Sequence, residues 1–370
     1  MKIGVLTYHN TINFGASLQT YSMISALNAL GGEAEVIDYR NNAIENRSGR
    51  LLPKKENLSA RAYSVATVKH WGLRIKESSF KKFVDKHLKL SEETYNTAEE
   101  LTQKELPYDF YLVGSDQVWN YNLNGEDSTY FLDFVKDRSR TATYASSFGL
   151  SSIPSNLRQF YIDGLNSINC ISVRERMGAR LVSELTGKVA QVHPDPVFLT
   201  SPEKWRELAN SEKRETISNV FASYFLGPEL RVKADAIIGD SVLSEMVEAK
   251  LAGGLSLRDL LSKKVSVRLD RGPVQFLQIM EKSTFVLTGS FHATAFAILL
   301  DKPFGVLLKG DSGKDARILE LLETFSLENR VVDSAADLSF DAPSTQSDTR
   351  KIIDEMREDS LAYLESLING

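Results

Sequence analysis

The chain has 370 residues and a formal net charge of −5, with 42% hydrophobic and 25% charged residues. This length suits two α/β domains of ordinary size, and the composition excludes a disordered, collagen-like or disulfide-stapled protein. Cys170 is the one cysteine and lies in an apolar stretch, which predicts a buried, inert thiol and excludes a thiolate metal site.

No targeting or membrane-spanning segment is predicted. The first strand pattern starts at Lys2, and no apolar signal core precedes it. The longest apolar run, residues 285–300, is interrupted by Gly289, Ser290 and His292, which indicates a buried strand, loop and helix rather than a membrane span. We therefore expect a cytoplasmic protein.

Residues 40–90 form a basic segment within this mildly acidic chain. They include thirteen Lys and Arg against four Asp and Glu. Ile75, Phe80 and Phe83 lie among the lysines, as in helices that rest on anionic lipid headgroups or meet an acidic acceptor. The alternative is an ordinary solvated helix face. We hypothesise a peripheral contact with the inner face of the membrane through this segment, and we predict no nucleic-acid partner.

The first half of the chain has the pattern of a parallel sheet built from βαβ units. Residues 3–7 are predicted as the first strand, residues 23–30 have helical spacing, and residues 34–37 form the second strand. Further strands are predicted at residues 110–113, 141–145, 170–173 and 189–192. Two prolines flank Asp195, which indicates a turn that this side chain closes by a hydrogen bond to the backbone.

A second series of strands follows a charged stretch at residues 210–215, where we place a domain boundary. Its strands are predicted at residues 219–225, 265–267, 284–287, 305–308 and 330–332. Residues 348–367 have the pattern of an amphipathic helix. The predicted fold class is α/β, with two Rossmann-like parallel-sheet domains at residues 1–212 and 213–345, and a C-terminal helix at 346–370 that crosses back to the first domain.

The loop after the first strand carries polar side chains where open parallel sheets bind ligands. It lacks the G-x-G-x-x-G pattern of a dinucleotide site. His9 suits hydrogen bonding to a sugar or proton transfer. The amides of Asn10, Asn13 and Gln19 suit the recognition of acceptor hydroxyls. The alternative for Asn13 and Ser17 is a helix cap.

A second polar loop, residues 114–120, follows the strand at 110–113. Asp116 supplies a carboxylate, Gln117 an amide and Trp119 an indole, which are groups that proteins use to bind sugars. The alternative is that Asp116 caps the next helix and Trp119 belongs to the core. We interpret Asp116, Gln117 and Trp119 as candidate sugar-binding residues.

Two further strand ends carry groups suited to an anion. Arg174 offers a planar guanidinium to a carboxylate or phosphate, or to a neighbouring acid such as Glu175 in a salt bridge. Residues 288–296 run from a strand directly into a helix, so that His292 lies in its first turn, near the positive end of the helix dipole. Ser290 and nearby backbone amides form a candidate phosphate site, with His292 as acid or base.

No metal site, cofactor or nucleophilic triad is predicted. His70, His87 and Cys170 are too scattered to form a recognisable metal site, and no His-x-Glu or Glu-x-x-His pair stands at ligand spacing. The chain also lacks a Gly-x-Ser-x-Gly elbow.

Several short segments follow one another in a characteristic order along most of the chain. They are GVLTYHN (4–10), NFGASLQ (13–19), VIDYR (36–40), GSDQVWN (114–120), YFLDF (130–134), SVRE (172–175), DP (195–196), GP with FL (272–273, 276–277), and SFH (290–292) with Phe296. Together they resemble the polysaccharide pyruvyl transferase family. Near the histidine, the chain has Gly289 where the family pattern has aspartate and Ala293 where it has glycine.

The resemblance implies a GT-B-like fold and an enzyme that transfers pyruvyl from phosphoenolpyruvate to a sugar diol, forming a ketal on a cell-surface glycan or its precursor. Its implied partners are phosphoenolpyruvate, as a co-substrate, and a nucleotide-linked, lipid-linked or oligosaccharide acceptor. The second domain is then the donor side, and the first is the acceptor side. The positions matched to donor binding are Arg174, Ser290, Phe291 and His292.

The implied chemistry gives His292 the role of proton donor to the methylene carbon, and Asp116 or His9 the role of base for the attacking hydroxyl. Arg174 would stabilise the charge of the donor.

Two rival functions fit the same architecture. One is a nucleotide-sugar glycosyltransferase, and the other is a non-catalytic sugar-binding protein of a polysaccharide assembly pathway, which Gly289 and Ala293 favour.

Overall fold

A computed structural model describes residues 1–47, 60–213, 216, 219–225, 228–242, 247–250, 265–268, 270–310, 312–340 and 347–369. The chain divides into two compact units. The first comprises Met1–Thr200 with Glu355–Gly370, and the second comprises Ser201–Asp354. Part of the predicted basic segment, residues 48–59, lies outside the described residues.

The first unit is built on a parallel sheet whose strand order reverses once. Its strands are β1 (Lys2–Leu6), β2 (Glu33–Tyr39), β3 (Leu90–Tyr95), β4 (Phe110–Val113) and β5 (Thr141–Thr143). They pair in parallel in the order β3-β2-β1-β4-β5. Two shorter strands, β6 (Ser172–Val173) and β7 (Gln191–Val192), pair with each other. The loops after β1 and β4 therefore share the edge where parallel sheets bind ligands.

Two apolar layers enclose this sheet because alternate residues of each strand point to opposite faces. Leu6 packs in one layer with Val113. Ile3 and Val5 pack in the other with Leu27. The described helices of this unit are α1 (Phe14–Ala29), α2 (Asn42–Arg47), α3 (Ala60–His87), α4 (Ala98–Thr102), α5 (Tyr121–Asn124), α6 (Arg158–Asn166) and α7 (Arg176–Thr186), with 3-10 turns at Ser128–Phe131, Arg138–Arg140, Ser155–Leu157 and Pro196–Phe198.

The second unit repeats the same strand order. Its strands are β8 (Val220–Tyr224), β9 (Val247–Lys250), β10 (Val265–Val267), β11 (Ser283–Thr288) and β12 (Phe304–Val306). They form a parallel sheet in the order β10-β9-β8-β11-β12, so β11 has the position that β4 has in the first unit. The described helices here are α8 (Pro202–Ala209), α9 (Pro228–Val242), α10 (Pro273–Lys282), α11 (Phe291–Leu299) and α12 (Ser312–Thr324), with 3-10 turns at Glu328–Arg330 and Ala335–Asp337.

The last helix, α13 (Ser347–Asn369), starts in the second unit and ends in the first. Leu364 is fully buried in the apolar layer that contains Ile3 and Val5. The Tyr363 hydroxyl donates to the Thr143 carbonyl at 3.0 Å. The predicted fold class is confirmed, including the helix that crosses back. No helix in the described part of the chain is long and apolar enough to cross a bilayer.

Four details differ from the sequence prediction. The strand predicted at residues 330–332 is wrong, because a 3-10 turn ends at Arg330 and only Val331 pairs, in a single bridge. The pattern also missed two strands. One is β3, a polar strand at the edge of the sheet, and the other is β9, a buried strand in which charged residues alternate with apolar ones. Cys170 is only partly buried rather than enclosed in the core.

Candidate functional site

Two loops meet at the carboxyl edge of the first unit's sheet. One follows β1 and the other follows β4. The Thr7 hydroxyl donates to the Ser115 carbonyl at 2.8 Å, and the Tyr8 hydroxyl donates to the Gln117 carbonyl at 3.1 Å. These bonds hold the two strand-end loops against each other, so polar groups that are distant in the sequence share one edge of the sheet.

His9 is oriented by a buried carboxylate at the end of β2. Its Nε2 lies 2.9 Å from Asp38 Oδ1, and its Nδ1 lies 3.3 Å from the Thr7 carbonyl oxygen. The side chains of His9 and Asp38 are only 2% and 6% exposed. The shorter contact ties Nε2 to the carboxylate, which leaves Nδ1 as the nitrogen with the weaker protein contact.

Asp38 is also the acceptor for two other side chains. Arg40 donates to it from Nε and from Nη2, each at 3.0 Å, and the Thr94 hydroxyl donates at 2.7 Å. Burial alone would raise the pKa of Asp38, but the hydrogen bonds from His9, Arg40 and Thr94 outweigh it and hold the pKa well below its ordinary value. The carboxylate is therefore ionised throughout the neutral range.

The variant Asp38→Asn is expected to lose about 2 kcal/mol of stability at neutral pH, because it breaks charge-assisted hydrogen bonds to a buried carboxylate. Most of this loss comes from His9 and Thr94, since the Arg40 side chain is 41% exposed and screened by water. A lowered folded-state pKa contributes stability above the unfolded value and loses it as the pH falls towards the folded value.

Urea unfolding across a pH series measures this effect. The stability difference between the parent and Asp38→Asn should be constant above about pH 5 and shrink below about pH 4, the ordinary range for aspartate. Asp109→Asn, at an exposed carboxylate on the same unit, serves as the control. A difference that stays constant down to pH 2 would contradict a lowered pKa at Asp38.

A cavity of about 450 Å³ lies beside this cluster, within the first unit. His9, Asn10 and Arg40 line it from the strand ends, and α3 contributes Arg74 and Lys81. Its volume falls within the range of small-molecule sites. The cavity thus joins the polar loop after β1 to the basic helix, two features that the sequence analysis treated separately.

Charges of both signs line the cavity, and several are paired within its wall. Lys81 Nζ lies 2.7 Å from Asp85 Oδ1, and Arg74 Nη1 lies 3.5 Å from Glu77 Oε2. The Asn10 amide donates to Glu45 Oε1 at 2.8 Å. Mixed donors and acceptors suit the hydroxyls of a sugar, which both donate and accept, better than they suit a multiply charged anion.

Two predicted acceptor residues support the loop instead of lining the cavity. Asn13 is the N-cap of α1, where its side chain accepts from the Gly15 N–H at 3.0 Å. Gln19 is fully buried, and its amide donates to the hydroxyls of Thr7 and Thr20 at 3.0 and 3.1 Å. Asn13 therefore caps the helix that ends this loop, and Gln19 anchors the Thr7 hydroxyl at its start.

The loop after β4 contains a strained residue. Asp116 has a φ of 93°, a conformation rare outside glycine and often retained at functional sites. Its carboxylate accepts from the Gln117 N–H at 2.7 Å. The Gln117 side chain is partly buried, and its carbonyl oxygen accepts from the Asn120 amide at 3.0 Å. Asp116 and Gln117 therefore lie in the loop after β4, at the carboxyl edge of the sheet.

Trp119 belongs to the core, so the expectation that it stacks against a sugar requires correction. It is fully buried, and its Nε1–H donates to the Tyr130 carbonyl at 2.9 Å. Its ring stacks on Phe131, with centroids 5.6 Å apart and an interplanar angle of 11°. Neither the ring face nor the indole N–H is open to a ligand in this arrangement.

Arg174 lies in a buried cluster of acids at the end of β6. Its Nη1 donates to Asp195 Oδ2 at 2.8 Å, and its Nε lies 3.6 Å from Glu175 Oε2. Burial would lower the pKa of Arg174, but the carboxylates of Asp195, Glu175 and Asp116 raise it above its ordinary value. The guanidinium is 2% exposed, so it organises strand-end loops and offers no open face to a donor in this geometry.

Asp195 connects three segments. Its Oδ1 accepts from the Val197 N–H at 3.1 Å, which closes the predicted turn. Its Oδ2 also accepts from the Ser115 hydroxyl at 3.3 Å. Arg174, Asp195 and the loop after β4 thus form one buried network behind the sheet edge.

In the second unit, the loop after β11 leads directly into α11. Ser290 has the backbone conformation of an N-cap, but its side chain makes no capping hydrogen bond. Its N–H donates to the Thr288 hydroxyl at 3.0 Å. Phe291 and His292 follow in the first helical turn and are 9% and 8% exposed. The three predicted donor residues therefore lie together at a helix N-terminus, where anions are favoured.

Gly289 lies in a tightly packed part of the loop after β11. A Cβ atom here would lie 2.3 Å from Leu230 Cδ1 and 2.9 Å from the Leu307 carbonyl oxygen. The second contact is with backbone, which cannot turn aside as a flexible side chain can. An aspartate at this position would force a local rearrangement of the β11 loop.

Sequence reasoning missed Asp38, which orients His9, and three residues of the cavity wall, namely Arg40, Arg74 and Lys81. Two signals were present. Asp38 and Arg40 stand at the end of a strand, and Arg74 and Lys81 are seven residues apart on one face of a basic helix. Within the described ranges, no group of three or more His, Cys, Asp or Glu side chains is arranged to hold a metal ion.

Solved structures share the fold at low sequence identity. A UDP-GlcNAc 2-epimerase from Methanocaldococcus jannaschii is 12% identical, with a TM-score of 0.51 and full coverage of both chains. The S. aureus MnaA–UDP structure is 11% identical, with a TM-score of 0.50, over 99% of this chain and 90% of that one. Such likeness shows the fold alone. The protein is thus of the α/β class with a GT-B-type fold.

The sequence also matches a family model over most of its length. The model described as polysaccharide pyruvyl transferase matches residues 13–308, so the chain belongs to this family. The family description is that of a transferase acting on polysaccharide. Among curated proteins, none matches this chain.

Proposed function

We propose that this chain transfers the pyruvyl group of phosphoenolpyruvate to two hydroxyls of a sugar, forming a pyruvate ketal on a cell-surface glycan or its precursor. The observation that carries the proposal is the cavity of about 450 Å³ lined by His9, Asn10 and Arg40, in a member of the polysaccharide pyruvyl transferase family. Family membership supports the reaction type, and the cavity supports a place for the acceptor.

The first unit is proposed to bind the acceptor sugar. Asn10 and the ion-paired wall residues offer donors and acceptors to ring hydroxyls, while Phe80 offers an apolar surface. His9 is the proposed base for the proton of the attacking hydroxyl. Asp38 holds Nε2 at 2.9 Å and stabilises the positive charge that the ring then gains.

The second unit is proposed to bind the donor. Phosphoenolpyruvate carries a carboxylate and a phosphate, and both are favoured by the backbone N–H groups at the start of α11. Ser290 and Phe291 are the proposed contacts at this helix start. His292, in the first helical turn, is the proposed acid.

The proposed reaction is balanced without a cofactor. The acid protonates the methylene carbon of phosphoenolpyruvate, converting it to a methyl group and leaving a cation at the neighbouring carbon. One sugar hydroxyl forms a C–O bond there and gives its proton to the base. The C–O bond to phosphate breaks and inorganic phosphate leaves. The second hydroxyl then forms a C–O bond, loses its proton and closes the ketal.

The test incubates the chain with ¹³C-labelled phosphoenolpyruvate and a panel of glycosides, each presenting a 4,6 or a 3,4 diol. The proposal expects a ¹³C ketal signal on one glycoside, with one phosphate released for each ketal formed. The matched control glycosides are methylated at one hydroxyl of the diol, so that the second C–O bond cannot form. Phosphate release without a ketal would overturn the transferase assignment.

A parallel arm tests the glycosyltransferase alternative with UDP-GlcNAc in place of phosphoenolpyruvate. A ligand that binds only the folded state raises the unfolding midpoint. At one hundred times its Kd, such a ligand stabilises the folded state by about 2.7 kcal/mol. The proposal expects a midpoint shift with phosphoenolpyruvate that pyruvate or phosphate alone does not reproduce. A shift with UDP-GlcNAc only, together with transfer of GlcNAc to a glycoside and release of free UDP, would replace the proposal with the glycosyltransferase alternative.

A further inference from the structure

The long helix α3 has an inner face that packs on the first unit. Phe80 and Phe83 are 4% and 3% exposed. The Phe80 ring lies 5.1 Å from that of Phe14, and the Phe83 ring lies 6.1 Å from that of Tyr21. Both contacts are with α1, so this face is settled by the fold of the unit.

The same helix carries two large apolar side chains on its outer side. Trp71 is 69% exposed and Ile75 is 44% exposed. They are four residues apart and therefore adjacent on the helix surface. A single exposed apolar residue is ordinary, but a tryptophan beside an isoleucine makes a contiguous apolar patch on a solvent-facing helix.

Basic residues continue this outer stripe towards the end of the helix. Residues 71–89 contain six Lys and Arg against two Asp and Glu. Lys82 and Lys86 are exposed, and their spacing of eleven and fifteen residues from Trp71 places them on its side of the helix. We define the outer stripe as Trp71, Ile75, Lys82 and Lys86.

We propose that the outer stripe docks the protein on an anionic lipid surface. Helices that lie in a membrane interface combine an aromatic and aliphatic edge with lysines, and tryptophan favours the headgroup region because its ring is amphipathic. The excess positive charge complements anionic headgroups. An apolar protein partner would be matched by Trp71 and Ile75 but not by the lysines.

The docked orientation has a consequence for the cavity. Arg74 and Lys81 line the cavity and lie on the same helix as the outer stripe. Docking would hold this wall of the cavity close to the headgroups. If the cavity binds the acceptor, a point that rests on the proposed function, its natural acceptor is a sugar presented at the lipid surface.

Tryptophan fluorescence gives a direct test, because the chain has three tryptophans and two of them are buried, so that their emission should not respond to vesicles. Trp119 and Trp205 are 0% exposed, whereas Trp71 is 69% exposed. Vesicles of phosphatidylglycerol and phosphatidylcholine should shift the emission to the blue and protect it from iodide. Lipids brominated near the headgroup should quench it. Emission unchanged by these vesicles would overturn the proposal.

Vesicle sedimentation measures the contribution of each part of the stripe. Lys82→Gln with Lys86→Gln should weaken binding about fivefold per lysine, and 0.5 M salt should weaken the parent similarly. Trp71→Ala with Ile75→Ala should weaken it at least tenfold, since affinity follows buried apolar area. Val232→Ala, at an apolar residue 71% exposed in the second unit, is the matched control and should bind like the parent.

The outcomes separate docking from catalysis. Equal binding of the stripe variants and the parent to anionic vesicles would overturn the docking proposal, and so would equal binding of the parent to pure phosphatidylcholine. The stripe variants should keep the parent's turnover on a soluble glycoside. If the protein binds vesicles but makes no ketal, docking stands and the proposed function fails.

Discussion

Arg174→Ala is expected to lower the free energy of unfolding by about 3–5 kcal/mol, because removal of one partner leaves buried charges uncompensated. The Asp195 side chain is 0% exposed and that of Glu175 is 7% exposed. Both lie against the guanidinium of Arg174, and water cannot replace it without opening the network. Urea or thermal unfolding measures the loss.

The matched control is Arg180→Ala, at an exposed arginine on the neighbouring helix α7. It should change stability by no more than about 0.5 kcal/mol. Arg174→Lys should lie between the two, because it keeps a charge but not the planar fork. A loss below about 1 kcal/mol for Arg174→Ala would show that the cluster is not the buried ion-pair network described above.

This expectation changes how donor binding should be tested. A variant that weakens the fold also lowers the midpoint in a thermal-shift titration, whatever it does to the ligand. Loss of a phosphoenolpyruvate response in Arg174→Ala would therefore not assign Arg174 to the donor. The helix start at Ser290, Phe291 and His292 is the better place for that test, since it does not carry the ion pairs of the first unit.

His292→Gln is expected to lower kcat by about 10²–10⁴-fold, the usual range for the loss of a general acid. Glutamine keeps a hydrogen-bonding side chain of similar reach but cannot deliver a proton at neutral pH. The helix start should remain intact, so phosphoenolpyruvate should still raise the unfolding midpoint. Turnover and the midpoint shift are measured on the same preparation.

His87→Gln is the control, since His87 lies on α3 outside the cavity wall and its ring packs on Phe83 with centroids 4.9 Å apart. Its turnover should stay within about twofold of the parent, as for a substitution away from the proposed chemistry. If His292→Gln kept full turnover, the acid role would be wrong. If the variant lost both turnover and the midpoint shift, His292 would bind the donor instead of protonating it.

The strand-end loops could be located from the sequence pattern alone. The alternation of short apolar strands with helical stretches predicts two parallel sheets, and parallel sheets place their ligand groups after the strands. His9, Asp116 and His292 could be named on that basis. The close packing of Leu230 and Leu307 around Gly289 could not be predicted from the sequence.

The sequence alone determined the fold class, the family resemblance and the loops in which polar groups follow strands, because these depend on the spacing of residues along the chain. The tertiary structure decided which groups face a cavity. Trp119 is buried by Phe131 and held by the Tyr130 carbonyl, while Trp71 remains exposed. Asp38 meets His9 across twenty-nine residues. Burial and pairing depend on neighbours brought together by folding, which no local pattern specifies.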